Sequence, residues 1–344
     1  MSKGKAVDIK QVSRELGVRY VLEGSLRKSG SRVRVTSQLI DATTGTHVWA
    51  ERYDRSLADI FAVQDEITSA VAKAIGPAIV EAEQKRAMRK PPDNLGAWEA
   101  YQRGMLHLRK PAEGDEARRC FKRAMEVDLY YSPAYSAMAA ADAMDASVYK
   151  ISWEECFRTA EPLARQAVRL DEGDAEAHAR LALIMFLKGA HEEAIHSADT
   201  AIAISPNCAE AHGVKGAALV HHGRRAEGRE ALNQCFSPDP RDPARPFRLN
   251  VFAASQYLDG DYEGCIRTTR QLRHDFPEFR VGYLWLAPAL AQLGRLAEAQ
   301  QVISSLVSQF PLAVNALIKS RPPMVSPLTH DILLDGLRKA GWKG

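Results

Sequence analysis

The sequence of 344 residues lacks long apolar runs. No stretch of about 18 consecutive apolar residues occurs, and residues 1–30 lack the apolar core of a secretory signal peptide. These absences predict a protein without a membrane span. The five cysteines include no C-x-x-C pair. This is typical of reduced thiols, so we expect a cytoplasmic location.

The sequence also lacks a large excess of either positive or negative charge. The formal net charge is +3. Residues 1–93 carry 16 Lys and Arg against 12 Asp and Glu, and the remainder carries 30 against 31. Neither part contains a dense basic stripe, so no nucleic-acid partner is expected.

Motifs that carry catalysis are missing as well. The chain contains no G-x-x-x-x-G-K-[ST], no G-x-G-x-x-G and no G-x-S-x-G. His191 and His196 resemble a zinc-protease pair, but a spacing of five places them about 140° apart on a helix. The adjacent His221 and His222 would point about 100° apart. The sequence therefore predicts no catalytic residue, no metal site and no cofactor.

What the sequence does contain is a repeat. Four glycines are each followed after seventeen residues by a proline, and the pairs are Gly189 and Pro206, Gly223 and Pro240, Gly260 and Pro277, and Gly294 and Pro311. The spacing within each series is 34, 37 and 34 residues, which is typical of stacked helix-turn-helix units. We expect each glycine to end a first helix with left-handed backbone angles and each proline to end a second helix.

Small residues recur where the paired helices must approach closely. These positions are Ala182 and Ala194, Gly216 and Gly228, Ala253 and Cys265, and Ala287 and Ala299. Cys235 also replaces a small buried residue, since cysteine packs as one. His178 and His212 share one repeat position, which we interpret as a large side chain packed between helices.

The first ninety residues follow a different period. Alternating apolar residues and turn residues predict a short helix, a three-stranded meander and a long helix that starts at a capping box. Pro77 is expected to kink or interrupt this long helix. The predicted elements are a helix at Asp8–Leu16, strands at Val18–Lys28, Arg32–Asp41 and Thr46–Tyr53, and a helix from Ser56 with Asp59 as its capping partner. Lys90–Asp93 is interpreted as the linker to the repeats.

The repeat residues resemble the tetratricopeptide repeat (TPR), whose signature positions match Leu181, Ala182, Gly189, Ala194, Ala201 and Pro206. The resemblance implies a mostly α fold, a TPR α-solenoid of about six helix hairpins that spans 94–311. The predicted repeats are 94–131, 133–172, 175–206, 209–240, 246–277 and 280–311. Residues 327–342 are predicted to form a helix that caps the stack.

A second resemblance covers the N-terminal part. Lys3–Ile67, most specifically Tyr20–Gly24 and Gln38–Tyr53, resembles the TolB-like segment of bacterial class III adenylate/guanylate cyclase-type proteins, and Leu333–Gly341 resembles their C-terminal tail. The resemblance implies that 1–90 is a small, truncated TolB-like α+β domain. It also implies an effector domain, often a cyclase, upstream of Met1.

Together these resemblances imply a non-catalytic interaction and regulatory module of a bacterial cyclase-like signalling protein. The alternative is a cyclase-family protein whose activity lies in a missing or separately encoded N-terminal domain. A remnant of a transcription regulator is a further alternative, although no recognition helix is visible. An unpaired sheet edge in the N-terminal domain would favour a homodimer or strand pairing with another chain.

The groove of the predicted solenoid is the candidate binding site for a protein or peptide partner. Projection of the repeat frame gives the putative groove residues Arg180, Leu183, Leu187, Val214, His221, Asn250, Tyr257, Leu284 and Trp285. The set contains too few Lys, Asn and Arg residues for a carboxylate clamp. Arg241, Arg245 and Arg248 are interpreted as an exposed basic spot, with a solvated loop as the alternative.

Overall fold

The computed structural model describes residues 9–30, 32–56, 60–87, 95–110, 113–147, 151–235, 244–277, 279, 284–309, 318 and 321–343. The contacts divide the chain into two units, Met1–Leu106 and His107–Gly344. Asp59 of the capping box, the linker Lys90–Asp93, and Pro240, Arg241 and Pro311 lie outside the described residues. Within the described part, no helix is both long and apolar enough to cross a membrane.

The N-terminal unit contains a three-stranded antiparallel sheet, as predicted. Its elements are α1 (Ile9–Leu16), β1 (Tyr20–Ser29), β2 (Arg32–Asp41), β3 (Thr46–Ser56) and α2 (Ile60–Ala87), and the strand order is β1-β2-β3. Ser29 pairs with Arg32, so a two-residue turn joins β1 to β2, and Gly30 in this turn has a φ of 58°. Among the described residues, β1 and β3 each pair with β2 alone.

Polar contacts hold the β2–β3 turn and join the sheet to α2. The Asp41 carboxylate accepts a hydrogen bond of 2.9 Å from the Thr43 amide and forms an ion pair of 2.7 Å with Arg19. Although burial would raise the pKa of Asp41, the bonds from Thr43 and Arg19 lower it below its usual value. Tyr20 donates a hydrogen bond of 2.7 Å to Glu83 on α2. The turn and one end of β1 are therefore fixed to α2 and to each other.

One local prediction for this unit is wrong in part. α2 runs through Pro77, so the proline does not interrupt the helix. A proline removes one helical hydrogen bond, and in this helix that loss does not end the element. The capping box stays a prediction, because Ser56 is the last residue of β3 and Asp59 lies outside the described residues.

The elements that follow α2 are helices. They are α3 (Ala97–Leu108), α4 (Gly114–Val127), α5 (Ser132–Ser147), α6 (Trp153–Leu170), α7 (Ala175–Lys188), α8 (His191–Ile204), α9 (Ala209–His222), α10 (Arg225–Cys235), α11 (Arg245–Leu258), α12 (Tyr262–Asp275), α13 (Leu286–Gln292), α14 (Leu296–Gln309) and α15 (Pro327–Lys339). The boundary between the two units falls inside α3. From α5 to α14 the helices form successive hairpins, and α7 packs against its partner α8 and against α5 and α9.

The predicted turn residues and helix ends of the hairpins are confirmed where the structure describes them. The turn glycines Gly189, Gly223, Gly260 and Gly294 all have left-handed backbone angles, with φ of 87°, 98°, 81° and 75°. α8 ends at Ile204, before Pro206, and α12 ends at Asp275, before Pro277. In these hairpins, single residues thus mark the turn after the first helix and the end of the second helix.

Close approach within the hairpin α9/α10 depends on two glycines. A Cβ atom on Gly216 would lie 2.8 Å from the carbonyl oxygen of Gly228, and a Cβ atom on Gly228 would lie 2.8 Å from the carbonyl oxygen of Gly216. The equivalent positions Ala182, Ala194 and Cys265 are fully buried. Burial raises the pKa of the Cys265 thiol to about 12, so this thiol stays protonated at neutral pH. The small residues therefore set the distance between the paired helices.

Two interpretations of polar residues can be compared with the structure. His178 and His212 share one geometry, since both are half-buried and each bonds back to a carbonyl oxygen six positions earlier, at 3.1 and 2.9 Å. Their packing between helices stays a prediction. Arg248 is not an exposed basic residue. It is buried beside Gly213 and donates to the carbonyl oxygens of Cys235 and Ala209.

A buried ionic network joins α4, α5 and α6. Arg118 donates hydrogen bonds to Asp145 at 2.6 Å and to Asp142 at 2.9 Å. Asp142 also accepts a bond of 2.6 Å from Thr159 on α6. Both carboxylates are buried, so their charges depend on Arg118 for compensation.

Candidate partner-binding groove

The first helices of the hairpins carry the candidate groove, and its predicted residues are mostly covered. Arg180, Leu187, Val214, Tyr257, Leu284 and Trp285 are buried, whereas Leu183, His221 and Asn250 are half-buried. None of these nine side chains is fully exposed. Their role in partner binding stays a prediction.

Arg180 has a structural role at one end of this face. Its guanidinium donates a bond of 3.0 Å to Glu176 on the same helix and lies 3.8 Å from Glu210 on α9. It also contacts Ser136 on α5 at 3.5 Å. Arg180 thus joins three successive first helices, and this role leaves little of its charge available to a ligand.

Aromatic and imidazole rings fill the middle of the groove face. His221, at the end of α9, lies between Phe186 and His191, with ring centroids 5.5 and 6.2 Å away. Burial lowers the pKa of His221 to about 4 and also lowers the pKa of His191. His221 is therefore neutral at physiological pH. In the described part of the chain, no group of His, Cys, Asp and Glu residues has the arrangement of a metal site.

Two groove residues carry buried polar atoms without a hydrogen-bond partner among the described residues. These atoms are Nδ1 of His221 and Oδ1 of Asn250. Buried polar atoms are normally paired, so each of these two atoms lacks a partner that a peptide or a water molecule would supply.

The C-terminal segment lies against the turn between α7 and α8. The carbonyl oxygen of Pro323 would be 2.7 Å from a Cβ atom on Gly189, and His191 Nε2 donates a hydrogen bond of 2.9 Å to the carbonyl oxygen of Met324. Met324 also packs against the large apolar cluster to which Leu187 and Val214 belong. The segment before α15 is therefore fixed at the turn end of this hairpin.

α15 covers the groove residues of the last two hairpins. It packs against α13, and its residues Leu333, Leu337 and Ala340 belong to one buried cluster with Tyr257 and Trp285. A Cβ atom on Gly336 would lie 2.3 Å from the Tyr257 hydroxyl and 2.7 Å from Pro288 Cβ. The sequence predicts a cap on the end of the stack, and this role stays a prediction. The contacts of α15 include α13, the first helix of the last hairpin, and Tyr257 on α11.

Sequence reasoning missed this coverage. Met324, Gly336 and Leu337 lie outside the repeat frame, and nothing in their spacing identifies the surface that they contact. The pattern Leu333, Gly336, Leu337, Ala340 was visible as an amphipathic helix. Its anchors at i, i+3, i+4 and i+7 are those of a helix that binds in a groove, and this was the available signal.

Comparison with known proteins gives one curated relative. No family model matches the chain. The chain is 36% identical over 198 residues to a protein of Rhizobium meliloti (strain 1021) named putative adenylate cyclase 3. This match includes 57% of the chain and 34% of the relative, so the chain spans about one third of the length of that relative.

Solved structures resemble the chain in fold. A chain of the APC/C hetero-tetramer Cut9–Hcn1 matches with a TM-score of 0.57 and 13% identity, over 76% of this chain and 48% of that one. PilF of Pseudomonas aeruginosa matches at 15% identity over 68% and 95% of the two chains, with a TM-score of 0.44. YrrB, described as a TPR protein with an unusual peptide-binding site, has a TM-score of 0.34, 16% identity and coverage of 59% and 96%. The chain is thus mostly helical, with TPR proteins among its structural neighbours and a small antiparallel sheet near its N-terminus.

Proposed function

We propose that this chain is a non-catalytic, cytoplasmic protein-interaction module of a bacterial adenylate cyclase-like signalling protein. Its first helices would hold a peptide or a partner protein in their groove. The observation that carries this proposal is the pair of unpartnered polar atoms on the groove face, His221 Nδ1 and Asn250 Oδ1. Because both atoms are buried, a peptide would reach them only after the residues that cover them move, and its N–H or C=O groups would then supply the missing partners.

Apolar residues near these atoms would supply contact area. Leu183 on α7 is half-buried and packs against the cluster that includes Leu187 and Val214. A ligand side chain that covers it would gain about 25 cal/mol for each Å² of apolar surface removed from water. The face thus combines an apolar base with a few polar atoms, which is the usual composition of a ligand groove.

Peptides selected from a random phage-displayed library test this function. We expect selected peptides to bind the Leu183→Asp variant at least roughly tenfold more weakly than the unmodified chain. The matched control is Ile204→Asp, because Ile204 is 41% exposed on the second helix of the same hairpin. Equal binding by the unmodified chain and by folded Leu183→Asp would contradict the proposal.

The name of the curated relative favours one second candidate. The chain would then belong to a cyclase-family protein whose catalytic site lies on another segment or another polypeptide. Incubation of the purified chain with ATP or GTP and Mn²⁺ tests the non-catalytic part of the first proposal. No cyclic nucleotide is expected, because both candidates place catalysis outside this chain, and measurable product would overturn the non-catalytic proposal.

For the N-terminal unit we propose a TolB-like module that pairs through β1. Leu22 and Leu26 on one face of β1 are 47% and 69% exposed. β1 is ten residues long, and a long edge strand with exposed apolar side chains favours strand addition. A homodimer or a separately encoded strand would cover it, and a strict monomer in light scattering at micromolar concentration would count against the homodimer.

A further inference from the structure

The helix α15 has the features of a ligand, and it is already seated in the groove. Gly336 lies against Tyr257 on α11 and Pro288 on α13. Leu333, Leu337 and Ala340 belong to the buried cluster that contains Tyr257 and Trp285, and the four residues have the spacing of helix-in-groove anchors. Gly336 is the point of closest approach, because Tyr257 and Pro288 leave no room for a side chain there. These contacts define the chemistry of the site: an amphipathic helix with Leu-x-x-Gly-Leu-x-x-Ala on one face.

α15 is also a locally complete helix. Ser326 caps its first turn by accepting a hydrogen bond of 3.2 Å from the Thr329 amide. Gly341 follows its last turn with a φ of 97°. Since both ends are satisfied within the segment, α15 does not need the hairpins to terminate its backbone hydrogen bonding.

Few polar contacts hold α15 in its docked position, and one of its buried polar atoms lacks a hydrogen-bond partner. Among the described residues, Lys339 donates a hydrogen bond of 2.8 Å to Gln292 on α13, and His191 bonds the carbonyl oxygen of Met324. His330 on α15 is 9% exposed, and its Nε2 atom is buried without a partner. Release of α15 would return this atom to water, which offsets part of the apolar surface that would be lost.

We propose that the last two hairpins form a helix-binding site whose resident ligand, in the same molecule, is α15. The segment Pro322–Lys339 then acts as an autoinhibitory strap, and a partner helix of the same chemistry binds after α15 detaches. This inference rests on the proposed function of the groove and adds the kind of partner and the way in which access is regulated.

Hydrogen exchange of the unmodified full chain, followed by mass spectrometry, provides the first test. A strap that detaches by itself exchanges its amides by local opening, independently of the hairpins. We therefore expect the amides of α15 to exchange roughly tenfold or more faster than those of α14. Equal protection of α15 and α14 would overturn the inference, because α15 would then be an inseparable part of the fold.

Binding of the segment in trans provides the second test. The probe is a labelled peptide of residues 321–343, and the full-length variant is Gly336→Ala, whose methyl group would meet Tyr257 and Pro288. We expect fluorescence anisotropy to show roughly tenfold tighter binding of this peptide to Gly336→Ala than to the unmodified chain. Asp335→Ala is the matched control, since Asp335 is exposed on the adjacent position of α15. It should bind like the unmodified chain.

Other outcomes of this test are decisive as well. Equal affinity of all three folded chains for the peptide, or no binding to any of them, would overturn the inference. Tighter binding after dilution of the unmodified chain would also overturn it, because the strap would then come from a second copy. If Gly336→Ala does not fold, the exchange experiment decides.

The two proposals fail separately. Equal exchange of α15 and α14 would overturn the strap even where library peptides bind through Leu183. Faster exchange of α15, with binding of its peptide to Gly336→Ala, supports the strap whether or not the library yields a ligand.

Discussion

Replacement of Gly216 by alanine tests the glycine pair that joins α9 and α10. The new methyl group would lie 2.6 Å from Leu232 Cγ and 2.8 Å from the carbonyl oxygen of Gly228. Both distances are too short, so the helices would separate or Leu232 would change its rotamer. Overpacking of this kind costs about 1–3 kcal/mol, whereas the higher helix propensity of alanine gains about 1 kcal/mol. Because one of the two contacts is with backbone, we take the upper end of the range and expect a net loss of about 2 kcal/mol.

Thermal unfolding followed by far-UV circular dichroism measures this loss. For a unit of this size, about 2 kcal/mol lowers Tm by about 4–8 °C. Glu230→Ala is the control, since Glu230 is an exposed residue on α10 of the same hairpin. It should leave Tm nearly unchanged. A Gly216→Ala chain that melts at or above the unmodified chain would refute the reasoning.

The reciprocal variant makes the test more specific. A Cβ atom on Gly228 would lie 2.8 Å from the carbonyl oxygen of Gly216 and 2.7 Å from Val220 Cγ2. One increase in the separation of the helices relieves the backbone contacts of both variants. The double variant should therefore lose less stability than the sum of the single losses. Strict additivity would show that the two glycines act independently.

Two further predictions concern buried charge in the same unit. Arg118→Met leaves the carboxylates of Asp142 and Asp145 without a compensating charge, so it should lower the free energy of unfolding in urea by about 2–3 kcal/mol. The exposed control Arg119→Met should change this free energy by less than about 0.5 kcal/mol. Equal effects of the two variants would contradict the ionic network. His221, with its pKa lowered to about 4 by burial, stays neutral while the unfolded chain takes up a proton below pH 6.5. Stability therefore falls as the pH drops from 6.5 toward 4, by about 2 kcal/mol at pH 5, and His221→Phe should remove this part of the pH dependence.

The sequence could predict the hairpins because their signals are local. Gly189 and Gly223 require left-handed angles, Pro206 ends a helix, and Gly216 marks a close approach, so each residue encodes its own geometry. The three-stranded sheet was predictable for the same reason, from alternation and from turn residues such as Gly30. Short-range patterns were therefore sufficient to predict most of these helices and strands.

Polar residues with distant partners could not be assigned in this way. Arg248 lies in a segment rich in proline and arginine, which is typical of a solvated loop. In the structure its side chain donates hydrogen bonds to the carbonyl oxygens of Cys235 and Ala209. Arg180 was predicted to line the groove, which stays a prediction, and its side chain is held by contacts with neighbouring first helices. Pro77 breaks a local rule without ending α2. Each of these outcomes depends on tertiary contacts that no periodicity records.

The candidate site shows the same division. The repeat frame predicts groove residues from their period, but it carries no information about what lies near them. The bond between His191 and Met324 joins positions 133 residues apart. A contact of this length leaves no trace in local spacing, so the place of the C-terminal segment could not be predicted.

The separation between His191 and Met324 has a consequence for how the molecule forms. The hairpins depend on neighbours only, so they can assemble in order as the chain leaves the ribosome. The strap must close a loop across several hairpins, and the entropy of closing long loops slows such steps. We expect its docking to be the last event of folding, so that for a short interval every newly made molecule presents Tyr257 and Trp285 to whatever is nearby.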